Sequence, residues 1–196
     1  MVSGIIKNYR IILASKSPRR QYLMKELGID FEILTDTETD ESYPSELTKE
    51  EIPVYLAEKK SKHALVLIPD KTLLITADTI VWLNGKVINK PAGYSEAVKM
   101  LEELSGEVHE VLTGVCLATN KKRHSFYTST LVYFASLSTD EIKYYVEQYK
   151  PYDKAGAYGI QEWIGYIGIE RIEGSYFNVM GLPVQELYRE MIKFLS

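Results

Sequence analysis

Asp78 and the pair Arg19–Arg20 are the residues from which chemistry can be read first. Asp78 interrupts the run Leu73-Leu74-Ile75-Thr76-Ala77-Asp78-Thr79-Ile80-Val81-Trp82-Leu83, which otherwise reads as a core strand. Aspartate is depleted from strands, and a buried carboxylate is costly unless a cation or metal compensates it. This position therefore predicts a paired acid. A structural ion pair and a catalytic carboxylate both satisfy that requirement. Arg19 and Arg20 follow Ser15-Lys16-Ser17-Pro18, where Ser17 reads as an N-cap and Pro18 as the first helical residue. Arginines in a first turn oppose the helix dipole, which favours anions at that end. Two guanidinium forks, two serine hydroxyls and open backbone N–H groups can together cradle a phosphate. A plain capped helix with two solvated arginines accounts for the same residues.

Other candidates are scattered along the chain. Lys60 shares a four-residue stripe with Ile52, Leu56 and Ala64, which puts a cation on the inward face of a helix. It either snorkels outward over apolar neighbours or points at a buried ligand. Asp36, Glu38, Asp40 and Glu41 crowd a polar stretch, residues 35–44, that is either a solvated loop or a source of a carboxylate for a divalent cation. Lys90 precedes Pro91 at the end of a hairpin. Asp153-Lys154-Ala155-Gly156-Ala157-Tyr158-Gly159-Ile160-Gln161 is rich in small residues, so backbone can approach a flat ligand closely there; an ordinary loop reads the same way. His63, His109 and His124 show no metal-ligand spacing, and the expectation for them is surface positions.

The elements that must position these groups follow from pattern. Ile11–Ala14 and Phe31–Leu34 read as strands around a helix that starts at Pro18 and closes at Gly28. Thr48-Lys49-Glu50-Glu51 fits a capping box, yet Pro53 then requires the helix to begin within a residue or two of Ile52. Asn84-Gly85 predicts a type I′ hairpin with Leu83 opposite Lys86, a register that extrapolates to Thr79 opposite Lys90 and brings Lys90 near Asp78. Ser95 is the expected cap of a helix ending at Gly106. Val108–Ala118 and His124–Ala135 form a second expected hairpin, and Ser138-Thr139-Asp140-Glu141 is a capping box for a helix stopped by Pro151. Residues 162–173 read as strands, and Leu182-Pro183 opens a final amphipathic helix through Val184, Leu187, Tyr188, Met191, Phe194 and Leu195.

Bulk composition bounds the setting. The chain has 196 residues, enough for a substantial core, with 45% hydrophobic and 26% charged residues as in ordinary globular proteins. No apolar run approaches a bilayer span, residues 1–10 lack the apolar core of a signal peptide, and the single Cys116 rules out an internal disulfide. A cytoplasmic location is the expectation. A net charge of −4 argues against a general nucleic-acid binder.

Taken in order, Leu13–Arg20 (LASKSPRR), Ala77-Asp78-Thr79, Lys90-Pro91, Thr113-Gly114-Val115, Asp153–Gln161 (DKAGAYGIQ) and Gly174-Ser175-Tyr176 with Gly181-Leu182-Pro183 resemble the Maf family of nucleoside triphosphate pyrophosphatases. The resemblance covers nearly the whole chain. Its arginine pair, Ala-Asp-Thr triplet and Tyr-Gly-Ile-Gln ending are similar to the dTTP/UTP-specific branch rather than the 7-methyl-GTP branch. It implies one domain over residues 1–196 with an α/β fold: a curved mixed β-sheet flanked by helices, as in Maf and ITPase proteins, with two lobes and a central cleft. It implies Asp78 as proton acceptor, and Arg19, Thr79 and Gln161 as residues of substrate choice. Ser15, Arg20, Lys60 and Lys90 would line the substrate site, and Asp78 with Glu41 would hold a divalent metal cation, Mg²⁺ or Mn²⁺. The implied activity is hydrolysis of dTTP and UTP to the monophosphate and pyrophosphate, removing non-standard pyrimidine nucleotides.

Physical chemistry is consistent with that implication. A triphosphate carries several negative charges, which Arg19, Arg20, Lys60, Lys90 and a metal can balance. A glutamine amide donates and accepts at once, as the imide edge of thymine or uracil requires. Three alternatives remain: a Maf enzyme of different nucleotide specificity, a non-catalytic regulatory protein of cell division, and a single-strand nucleic-acid module stacking bases on the fifteen tyrosines. Negative net charge and tyrosines at helix-core spacing oppose the last, so the expected partner is a nucleotide, with no stable nucleic-acid binding and no membrane. The sequence leaves the oligomeric state open, a homodimer included.

Overall fold

A computed structural model describes residues 4, 6–35, 40–69 and 71–196. Asp36 and Glu38 of the acidic stretch lie outside the described residues. Seven strands form one mixed sheet in the order β2-β1-β3-β5-β6-β7, with β4 also paired to β3. The strands are β1 (Arg10–Ala14), β2 (Glu32–Leu34), β3 (Thr72–Leu83), β4 (Lys86–Ile88), β5 (Val108–Ala118), β6 (Arg123–Phe134) and β7 (Ile169–Glu173). β1 runs parallel to both β2 and β3, whereas β3–β4 and β6–β7 are antiparallel. The parallel pairs need helical crossovers. α1 (Pro18–Glu26) supplies one, and α2 (Glu51–Leu65) lies on the connection into β3. The remaining helices are α3 (Tyr94–Leu104), α4 (Thr139–Tyr149), α5 (Trp163–Gly168), the single turn α6 (Tyr176–Val179) and α7 (Val184–Leu195). The α/β class and the mixed, helix-flanked sheet are as expected.

Local chemistry explains most boundaries. Ser17 is the N-cap of α1 and Pro18 its first residue, while Gly28 takes the left-handed φ of 65° that ends it. α2 starts at Glu51 with Pro53 in its first turn, where no intrahelical N–H is lost. Glu51 bonds back to the Thr48 amide at 2.8 Å, completing half of a capping box. Asn84 and Gly85, at φ 49° and 83°, make the type I′ turn, and Leu83 faces Lys86. That ladder ends at Val81–Ile88, so the Thr79–Lys90 pairing is not formed as strand. At α4 the predicted box is complete, with Ser138 and Glu141 capping reciprocally.

Two expectations are corrected. Gly93, not Ser95, caps α3; the Glu96 carboxylate reaches back to the Ala92 amide at 2.6 Å and holds the entry turn. Residues 162–173 are not continuous strand, because α5 occupies the first part and only Ile169–Glu173 pairs in the sheet.

Contacts divide the chain into two units: Met1–Asp78, Thr113–Thr128 and Gly181–Ser196 form unit 1, and Thr79–Leu112 with Ser129–Met180 form unit 2. The core of unit 1 includes Ile12, Ala14, Ala57, Ala64, Leu74, Cys116 and Ala118. That of unit 2 includes Leu101, Leu104, Ile142, Tyr145 and Val146, from the apolar faces of α3 and α4, with Val132 and Phe134 of β6. Among the described residues no helix is long and apolar enough to cross a membrane.

Candidate active site

Unit 1 assembles most of the predicted charge. Asp78 is 7% exposed near the middle of β3, and Lys60 on α2 meets it with Nζ 2.5 Å from Oδ1. The same ammonium lies 3.3 Å from Glu41 Oε1. The acid is thus paired, and the stripe lysine is a partner. Ile52, Leu56 and Ala64 of the stripe are buried, so Lys60 is carried inward by three apolar anchors.

Three contacts fix α2 so that Lys60 stays in reach. Thr76 lies two residues before Asp78 and thus on the same strand face, and its Oγ1 donates to the Ala57 carbonyl at 2.7 Å. Ala57 is one helical turn before Lys60. On β5, Gly114 approaches the first turn of α2 so closely that a Cβ there would sit under 3.0 Å from the Pro53 carbonyl. Neighbouring Lys59 holds the acidic loop, with Nζ 3.0 Å from the Ser42 carbonyl and 3.3 Å from Asp40 Oδ2. Ser42 bonds then keep the Asp40 carboxyl below its ordinary range. Lys59 and Lys60 therefore clasp consecutive parts of one loop.

The first motif divides its labour. Arg20 is half-buried, donating from Nε to the Gly181 carbonyl at 2.7 Å and from Nη1 to the Ala77 carbonyl at 2.8 Å. It thereby grips the residue just before Asp78. Burial lowers its affinity for the proton, and the Asp78 charge acts in the opposite direction. Ser15 is buried; its Oγ accepts from the Ser17 amide at 3.2 Å and its carbonyl from Gln21 Nε2 at 3.0 Å. Those bonds shape the turn that leads into α1. Ser17 makes no side-chain cap bond, and Arg19 is half-buried on the first turn of α1.

Thr79, Lys90 and Gln161 belong to unit 2. Thr79 follows Asp78 directly on β3 and is half-buried, and Lys90 is exposed just past the end of β4. The glycine-rich segment is joined to that strand end, because the Gly156 amide donates to the Asn89 carbonyl at 3.1 Å. Gly156 has φ 70°, and a Cβ there would meet the side chains of Val81 and Leu104, so the segment packs closely against its own unit at this point. Gln161 closes it, and its Oε1 is buried without a hydrogen-bond partner among the described residues.

Sequence reasoning placed His109 at the surface, and the structure corrects this. His109 is 2% exposed, with Nε2 2.8 Å from the Tyr158 hydroxyl and edge-on contacts to Phe134 and Tyr158. Desolvation pulls its pKa down to about 4 and pushes that of Tyr158 up. Period-two alternation with buried Val111 was the available signal. Tyr145, Lys154 and Glu162, which brace the glycine-rich segment, were also missed. Tyr145 reads from sequence only as a helix-core aromatic, and the two charges only as flanks of a loop. Among the described residues no group of three or more His, Cys, Asp or Glu side chains could hold a metal by itself.

A family model described as "Maf-like protein" matches residues 10–194. The chain is 54% identical over 186 residues to the dTTP/UTP pyrophosphatase of Bacteroides fragilis, covering 95% of this chain and 96% of that relative. It is 55% identical to the dTTP/UTP pyrophosphatase of Phocaeicola vulgatus, covering 96% and 97% of the two chains. With that of Christiangramia forsetii the identity is 47% over the full length of both. Among solved structures, the Ham1 protein of Staphylococcus aureus aligns with a TM-score of 0.55 at 14% identity, covering 94% of this chain and 99% of that one. That likeness is one of fold.

Proposed function

Since the chain belongs to the Maf family, we propose that it is a dTTP/UTP pyrophosphatase that splits the bond between the α and β phosphates and releases pyrophosphate. The observation that carries the mechanism is the Asp78–Lys60 pair, an acid inside an apolar strand met at 2.5 Å by a lysine from a separate helix. In this reading Asp78 accepts a proton from the attacking water. The water oxygen bonds to the α-phosphorus, the bond from that phosphorus to the bridging oxygen breaks, and pyrophosphate leaves with the electron pair. Lys60 and Arg19 offer positive charge to the phosphate oxygens, while Arg20 holds the backbone that carries Asp78. Positioning and electrostatic stabilisation supply most of the rate in such a reaction.

The donor set also suits a divalent cation. Asp78 and Glu41 present carboxylate oxygens 2.5 and 3.3 Å from one ammonium position, and Mg²⁺ or Mn²⁺ is commonly held by one or two carboxylates plus substrate phosphates. Asp78 and Glu41 would hold it, and it would supply charge neutralisation at the phosphates.

For base choice, Gln161 reads the imide edge of thymine or uracil with an amide whose oxygen is buried without a partner among the described residues. A site that leaves polar groups unpaired with the wrong ligand rejects it strongly. Thr79 and Lys90 complete the substrate contacts. The enzyme needs no nucleic-acid or membrane partner, and we extend the reading to a cytoplasmic enzyme, with a homodimer as one assembly to be tested by light scattering. A panel of nucleoside triphosphates assayed for pyrophosphate tests the function. Turnover of dTTP and UTP well above CTP and the purine nucleotides is expected; no pyrophosphate from any of them would sink the proposal and return the chain to a regulatory binding role.

A further inference from the structure

The glycine-rich segment, residues 153–161, is closed by a single carboxylate. Glu162, directly after Gln161, places Oε1 3.1 Å from Lys154 Nζ near the segment's start. Its Oε2 accepts from the Tyr145 hydroxyl. That same hydroxyl accepts from the Gly159 amide at 3.1 Å, and the Glu162 amide donates to the Gly159 carbonyl at 3.0 Å. The carboxylate also fills the space where a side chain at 159 would stand, since a Cβ on Gly159 would lie 2.8 Å from Glu162 Cδ. Start, middle and end of the segment are thus tied to one group.

The surroundings make this an unusual way to hold a loop. Tyr145 is fully buried and Lys154 is 8% exposed, and the Glu162 side chain is only 19% exposed. A buried ion pair adds little net stability compared with apolar residues of the same volume, because desolvation offsets the attraction. What directed bonds supply that apolar packing does not is a fixed orientation. Directly before Glu162 in the chain stands Gln161, whose amide oxygen is buried without a hydrogen-bond partner among the described residues.

We propose that Glu162, with Tyr145 and Lys154, is a positioning residue that sets the plane and direction of the Gln161 amide and so governs discrimination among pyrimidine bases. The proposal rests on the reading of Gln161 as the base-contacting residue. Glu162 need not touch the nucleotide; it acts through Gln161.

The test is a double-mutant cycle read as the ratio of kcat/KM for dTTP to that for CTP, with Gln161→Ala, Glu162→Gln and the double variant. Both single variants should lower the ratio roughly 3- to 10-fold, the worth of about one hydrogen bond. The double variant should fall no further than Gln161→Ala alone, because the two act as one unit. A ratio unchanged in Glu162→Gln, or an equal loss on every nucleotide, overturns the positioning role while the Gln161 reading survives. Additive losses overturn it as well, since Glu162 would then act independently. An unchanged ratio in Gln161→Ala removes the base reading and the positioning role together. Should Glu162→Gln fail to fold, Tyr145→Phe removes one hydroxyl from the same network and is scored by the same ratios.

Discussion

Replacing Gly114 by alanine links the fold to the chemistry at one atom. A Cβ at this position would lie under 3.0 Å from the carbonyl carbon and oxygen of Pro53 and from the Val54 nitrogen, against 3.4–4 Å for ordinary contact. All three are backbone atoms of the first turn of α2, so no flexible side chain can yield. The helix itself must back away from β5 by something on the order of an ångström, and overpacking of this kind costs about 1–3 kcal/mol. For a chain of this length each kcal/mol is worth about 2–4 °C in Tm, so a fall of roughly 2–12 °C is expected by calorimetry. Lys60 lies seven residues beyond Pro53 on the same helix, roughly 10 Å along its axis. Moving α2 therefore moves Nζ against Asp78, where it sits at 2.5 Å. A misplacement of about 1 Å can reduce turnover by as much as 100-fold, and kcat for dTTP should fall roughly 10-fold or more at a temperature where the variant is still folded. Wild-type Tm together with wild-type kcat would refute the reasoning, because the helix would then have room the structure denies it.

Further outcomes are expected. Asp78→Asn should keep the fold by circular dichroism while losing at least about 100-fold in pyrophosphate release; near-normal turnover would move the proton acceptor elsewhere, with Glu41 next in line. Excess chelator should abolish dTTP turnover, and Mg²⁺ or Mn²⁺ should restore it; full activity in chelator would remove the metal role of Asp78 and Glu41. Buried His109 binds its proton with a pKa of about 4 against an ordinary 6.5, so between those values the unfolded chain is protonated there and the native one is not. Its contribution to stability is full above pH 6.5 and is lost as pH falls towards 4, on the order of 3 kcal/mol in all. Urea midpoints between pH 7 and 4.5 should fall less steeply in His109→Gln than in wild type, and parallel curves would contradict the burial argument.

What could be read in advance was whatever local rules decide. Asp78 stood out because a strand does not tolerate an unpaired acid, and Lys60 because helical spacing put it among Ile52, Leu56 and Ala64, which are indeed buried. Asn84-Gly85 fixed the β3–β4 register through backbone conformation alone. The partner of Asp78 was harder, because pairing α2 with β3 depends on the Thr76–Ala57 bond between distant segments. α5 was misread for a related reason. Its Trp, Ile and Tyr residues favour strands, but Gly165 lets the helix fold back on the Ile160 carbonyl, bonding its amide to the Glu162 carbonyl at 2.8 Å. Glu162 escaped notice because its partners, Tyr145 and Lys154, come from an adjoining helix and a loop. For Arg20, expected to line the substrate site, no local pattern indicates that its guanidinium also grips two carbonyls.

The Arg20 grip also bears on how the chain is made. One of its two carbonyl partners, Ala77, is synthesised soon after the arginine, while the other, Gly181, arrives near the end of translation. Unit 1 takes its last segment from Gly181–Ser196, so on the ribosome the residues of its strands and of the Lys60–Asp78 pair are made well before those of α7. Unit 2, drawn from Thr79–Leu112 and Ser129–Met180, has all of its residues first. Domains generally fold as units, and here the arrival of the last segment also gives the half-buried Arg20 guanidinium its second acceptor. A nascent chain stalled before Gly181 would hold every residue assigned to catalysis and still lack one of the two carbonyls that anchor Arg20 beneath Asp78, so activity is expected to arise with the final segment of the polypeptide rather than gradually along it.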